Sequence, residues 1–227
     1  MILLRNTRKK AVVFDFETCN LNLLPPAGTE DSIINLPWQL GWSVYNGDKL
    51  VKSNEDWLWW DCLHKKMSKD AAAITGFDYE TYKAKAQDPG PVLEAFNAVL
   101  LAPEVISVTA NGQNFDTYLY NILRNLLHKG TDYSWINRHV DIQVVEKAKI
   151  LGYEMPPIGT HDWCLFSFKM SQIHRRGLKT NLAHLCSEYG VPYDKDRHHK
   201  EASYDSDLTY QVFRKQAQSL DLFIKSS

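Results

Sequence analysis

The sequence predicts an α/β domain built on a mixed β-sheet, and three observations predict it. Apolar, β-branched and aromatic runs dominate the chain up to Trp60. Two of these runs flank an Asn46-Gly47 pair, a strong hairpin signal. Beyond residue 67 helical and strand-like patterns alternate, the order expected of strands covered by helices. No internal repeat, low-complexity tract or linker interrupts the chain, so residues 1–227 read as one domain.

The elements follow in order. Ala11, Val12, Val13 and Phe14 form a short run whose composition marks a strand. Residues 20–31, with Pro25, Pro26 and Gly28, read as loop. Residues 38–59 read as the two strands of the hairpin. Residues 67–74 suggest a helix capped by Ser68. Residues 90–102 are amphipathic and helical, and 104–110 form a short central strand. Over 114–128, Tyr118, Ile122 and Leu126 recur every four residues, which is helical spacing. Residues 139–151 read as a strand entering a helix, and 154–168 as a long irregular segment. A helix over 177–191 is stopped by Gly190 and Pro192. Residues 201–224 form a long last helix.

Composition excludes several classes. Hydrophobic residues make up 44% and charged residues 23%, enough apolar content for a real core. A net charge of −1 shows no overall basicity, so any nucleic-acid contact must come from a local patch. Cys19, Cys62, Cys164 and Cys186 lie far apart, which argues against a structural zinc or a disulfide framework and suits a reducing compartment. The apolar run near Met1 is too short for a signal peptide, and no stretch is long enough to span a membrane. The expectation is an intracellular, cytoplasmic protein.

The chemistry starts at Ala11–Asn20, AVVFDFETCN. Asp15 and Glu17 lie two apart on a strand, so both side chains point to the same face. Carboxylates at the end of an apolar run are costly unless paired or bound to metal. Asp116 and Asp205 sit near helix N-termini, where the helix dipole favours them individually. Crowded carboxylates raise one another's pKa unless cations neutralise them.

These residues carry a family likeness. VVFDFETCNL resembles the first motif of the DEDD 3′–5′ exonuclease superfamily, in the group of the polymerase III proofreading subunit and ribonuclease T. ANGQNFDTYLY resembles its second motif, and the segment from Lys179 to Phe213 its third. Weaker matches lie between them, in order along almost the whole chain. The resemblance implies an RNase H-like fold, a central five-stranded mixed sheet flanked by helices. It implies a two-metal site for Mg²⁺ or Mn²⁺, which generates a nucleophile and neutralises the phosphate. In it Asp15 bridges the ions, Glu17 and Asp205 complete the first, and Asp116 supports the second. It further implies a 3′–5′ exonuclease acting on single-stranded DNA ends, with a polymerase or replication partner. An exoribonuclease of the same fold, or a weak nucleic-acid-binding module, are the alternatives.

One departure stands out. The histidine branch of the family has His-x-Ala-x-x-Asp in its third motif, with the histidine activating water. Ala202 and Asp205 fit, but the histidine position holds Lys200. His199 is one residue early and His198 two, and the tyrosine branch's position holds Glu201, not Tyr204. Three readings stay open. His199 reaches the site through a loop that absorbs the slip, and its reference pKa near 6.5 suits a base. Alternatively Lys200 acts, with its pKa lowered by several units, or neither acts and the site is slow or inactive. The first reading is preferred.

Substrate signals are local. Lys169, His174, Arg175, Arg176 and Lys179 cluster within a short segment, which reads either as phosphate-binding or as a solvated charge run. Trp57 and Trp59 alternate as strand residues do and read as core rather than as base-stacking groups. The resemblance assigns Thr18, Asn20 and Leu21 to the terminal nucleotide.

Overall fold

The apolar run from Ala11 extends into a strand, β1 (Lys10–Thr18), at the centre of the sheet. The computed structural model describes residues 10–21 and 35–219, without the side chains of 218 and 219. Most of the 20–31 loop therefore lies outside the described residues. β1 pairs antiparallel with β2 (Pro37–Asn46), which turns at Gly47, φ +59°, into β3 (Lys49–Trp57). On its other side β1 pairs in parallel with β4 (Val105–Thr109), and β4 with β5 (His139–Asp141). The order β3-β2-β1-β4-β5 makes a five-stranded mixed sheet.

Between β3 and β4 run α1 (Leu63–Lys66), α2 (Lys69–Thr75), α3 (Tyr79–Lys85) and α4 (Pro89–Leu100). After β4 come α5 (Asp116–Leu126), then α6 (Ile142–Leu151), α7 (His161–Ser171), α8 (Leu182–Glu188) and α9 (Ala202–Ser219).

The strand period of two sorts β1 onto two cores. Val12, Phe14 and Phe16 face α4 and α5, packing with Phe96, Leu119 and Tyr120. Ala11 and Val13 face α9, packing with Leu208, Val212 and Phe213. Asp15 and Glu17 continue this second face, so an apolar stripe becomes acidic where the strand ends. Gly41 lets α9 approach, since a Cβ there would lie 2.2 Å from the carbonyl carbon of Ala202.

Three helices, α1, α3 and α7, differ from the sequence expectation. The segment predicted as irregular over 154–168 contains α7, capped by Thr160, whose hydroxyl accepts from the Trp163 backbone N–H at 3.1 Å. Trp163 is buried and its indole N–H donates to the His139 carbonyl at 2.7 Å, a tertiary anchor for the helix. The breakers before it (Pro156, Pro157, Gly159) obscure the start. The unanticipated α3 is capped by Asp78 and held by Tyr82, whose hydroxyl donates to the Leu58 carbonyl at 2.7 Å. Trp57, Trp59 and Trp60 pack half-buried against the cluster around Tyr82 and Trp38. The last helix is described as far as Ser219, and the rest of its predicted span lies outside the described residues. Among the described residues no helix is long and apolar enough to cross a membrane.

Candidate active site

The site forms where β1 outruns its neighbour. Pairing with β4 ends at Val13↔Val108, while β1 continues to Thr18. A backbone N–H freed in this way needs a new partner. The Phe16 N–H donates to the Asp116 carboxylate at 3.0 Å, which fixes the first residue of α5 against β1. The loop before α5 is held by buried Asp141, which accepts from the backbone N–H groups of Asn111, Gln113 and Gln143 at 2.8–3.1 Å. Asn111 takes a left-handed φ of +67°, a conformation Asn tolerates better than most residues.

The opening is a cleft of about 600 Å³ at the carboxyl ends of β1 and β4, the usual ligand position in open α/β sheets. Oxygens of Asp15, Glu17 and Asp205 lie within 4.8 Å of one another. Glu17, Asp116 and Asp205 are buried, and Asp15 is partly exposed to the cleft. Burial raises Asp15 well above the usual carboxylate range, and Asp116, Glu17 and Asp205 add to the rise. Burial does the same to Glu17, reinforced by Asp205, Asp116 and Glu55. Asp116 is pushed up to about 7 by burial, against the opposing Phe16 hydrogen bond. Three carboxylates this close, with oxygen donors only, suit a hard divalent cation. Asp116 stands outside that triplet.

The turn before α9 brings both histidines near Asp205. His199 adopts a left-handed φ of +62°, reversing the chain around Asp205. The His199 backbone N–H donates to one Asp205 oxygen at 3.0 Å, and the His198 ring Nδ1 lies 2.8 Å from the other. The two imidazoles are 3.5 Å apart by ring centroid, and both line the cleft. His199 is the more exposed, 53% by side chain against 14% for His198. Burial and the neighbouring His198 lower its pKa, against the pull of Asp205. Lys200 does not line the cleft, and its stem faces Gly76 on α2.

Thr18 and Leu21 line the cleft, and Asn20 does not. Asn20 instead pins the strand end, its N–H donating to the Asn35 side chain at 2.9 Å. Arg175 and Arg176 are exposed in the turn between α7 and α8, outside the cleft. Sequence reasoning gave His198 no role and missed Asn111, Gln143, Asn181 and Tyr193 on the cleft wall. Asp141 had a usable signal, an Asp between a strand and a helix, the N-cap pattern. Gln39 had none. It lies opposite Glu17 in the β1–β2 register, fully buried, and its amide has no partner among the described residues.

No family model matches the chain, and no curated protein matches it. Solved structures do. E. coli exonuclease I, in a zinc-bound complex with single-stranded DNA, superposes with TM-score 0.65 at 14% identity over 95% of this chain. The fold is RNase H-like. The same nuclease with a dT13 oligonucleotide gives TM-score 0.61 at 14% identity, covering 94% of this chain. A 3′-exonuclease that recognises the histone mRNA stem-loop 3′ end gives 0.61 at 14% identity, over 93% of this chain and 64% of its own. The chain spans under half of exonuclease I, 42% in the zinc-bound structure. These neighbours are an exonuclease bound to single-stranded DNA and a 3′-exonuclease that recognises an mRNA stem-loop, and at this identity the similarity carries the fold alone.

Proposed function

We propose that the chain is a metal-dependent 3′–5′ exonuclease that releases nucleoside monophosphates from single-stranded DNA ends. The observation that carries this is the convergence of Asp15, Glu17 and Asp205 within 4.8 Å, beside two histidines, at the open end of an exonuclease fold. Two divalent ions, Mg²⁺ or Mn²⁺, supply charge neutralisation at the phosphate and an acidified water when bound. Asp15, Glu17 and Asp205 would hold the ions, with Asp116 in support. His199 takes the proton of the attacking water on a ring nitrogen, its lowered pKa keeping it neutral at pH 7. The water oxygen bonds to phosphorus as the bond to the 3′-oxygen breaks. The leaving oxygen takes a proton from solvent. His198 and the His199 backbone hold Asp205 in place. Thr18 and Leu21 contact the terminal nucleotide, with Asn20 holding the strand end behind them.

Digestion of 3′- and 5′-labelled DNA and RNA oligomers tests this. Shortening from the 3′ end in Mn²⁺, stopped by EDTA and faster on DNA, is expected. Faster shortening of RNA would favour the ribonuclease reading, for which the histone-mRNA 3′-exonuclease likeness is the supporting observation. No shortening of either polymer would leave only a binding module.

A further inference from the structure

A second groove of about 720 Å³ adjoins the cleft, and Asn111 lines both. Its walls come from α5, the segment after it and the end of α7. They present the side chains of Asn114, Tyr118, Tyr133, Gln172 and His174. Among the described residues no carboxylate lines it, in contrast to the four acids of the cleft. Tyr118 and Tyr133 are large rings left 42% and 46% exposed.

The groove is built rather than incidental. The Asn114 amide donates to the Ser171 carbonyl at 3.2 Å and its oxygen accepts from Gln172 Nε2 at 2.8 Å, tying the two walls together. Asn121 accepts from the Asp132 N–H at 2.6 Å and donates to the Asp132 carbonyl at 3.4 Å. That pair fixes the segment carrying Tyr133 against α5. Tyr118 lies on α5 two residues after Asp116, so the groove and the cleft share one rigid helix.

We propose that this groove holds unpaired bases of the nucleic-acid strand upstream of its 3′ end, stacked on Tyr118 and Tyr133. Amides and aromatic faces with no carboxylate are the chemistry that receives bases, and stacking is tolerant of sequence. Arg175 and Arg176 are exposed and directly follow His174, which lines the groove, and in this proposal they meet the phosphates of that segment. The assignment rests on the nuclease reading for its direction, with the 3′ end in the cleft.

The test measures binding and turnover separately. Fluorescence anisotropy of a labelled 12-nucleotide dT oligomer is followed in EDTA for the full chain, Tyr118→Ala, Tyr133→Ala, the double variant and both Phe variants. Each Ala variant should bind about tenfold more weakly, and the Phe variants near the parent, since stacking needs only the ring. In Mn²⁺ the Ala variants should raise KM for the oligomer with kcat unchanged and leave dinucleotide hydrolysis unchanged. Parent-like oligomer binding by the double Ala variant overturns the groove. So does an equal loss on the dinucleotide, because the tyrosines would then act on the cleft. Tyrosine-dependent binding without hydrolysis would sink the nuclease reading and keep the groove.

Discussion

Asp15 concentrates the physics of the site at the scale of one residue. Burial and three nearby acids oppose its charge, so the metal-free native state carries a strain that function requires. Asp15→Asn should abolish hydrolysis in Mn²⁺ while raising the urea midpoint in EDTA. Retained hydrolysis would refute the bridging role. Loss of His199 should cost on the order of 10²–10⁴-fold in kcat. Lys200→Ala should be mild, because that side chain lies along Gly76 rather than in the cleft. Single-turnover rates for the two variants check this, and the reverse ranking would move the base to Lys200. Gln39 concerns stability instead. Its buried amide carries a desolvation penalty with no hydrogen bond among the described residues to offset it. Gln39→Met keeps the shape and removes the amide, and should stabilise the metal-free fold by about 1 kcal/mol or more. Equilibrium unfolding in urea reads the shift.

Elements turn these residues into a site. β1 exceeds β4 in length, and the N–H exposed at Phe16 recruits Asp116 and with it α5. α9 delivers Asp205 because β2 has Gly41 beneath Ala202. Gly41→Ala sets a methyl against backbone that cannot rotate away, and should destabilise by about 1–3 kcal/mol. It should also lower metal affinity, since Asp205 moves with the helix start. Calorimetric titration with Mn²⁺ beside urea unfolding separates the two effects, and unchanged affinity would mean that α9 adjusts without shifting Asp205. The strands and their hairpin were legible because period-two patterning and the Asn46-Gly47 turn are local signals. α7 was not, because Trp163 and its bond to the His139 carbonyl anchor it from across the sheet.

For the whole molecule, the acidic cluster ties folding to pH and metal. Asp15, Glu17 and Asp116 have raised pKa values, Asp116 about 7, so the native state keeps protons that the unfolded chain releases above about pH 4. Stability of the metal-free protein therefore falls as pH rises through the native values. His139, lowered to about 3 by burial, and His199, also lowered, act in the opposite sense. Both are neutral in either state above about pH 6.5 and then drop out. Between pH 6.5 and 8 the melting temperature in EDTA should fall, and the gain on adding Mn²⁺ should grow, because the ion needs deprotonated ligands. A flat profile in both conditions would mean that the carboxylates do not titrate together.

By itself the sequence determined the α/β class, the same-face pair Asp15 and Glu17, and the four acids worth watching, because strand period and helix-terminal position are local properties. It left three readings open at the third motif, His199, Lys200 or neither acting, because register along a chain does not say where a turn reverses. Only the tertiary structure shows where these side chains lie. The left-handed backbone at His199 folds the turn around Asp205, bringing both imidazoles into the cleft and leaving Lys200 outside it. The second groove was likewise invisible in sequence, because α5 and the end of α7, 57 residues apart at the Asn114–Ser171 bond, meet only once the sheet is covered.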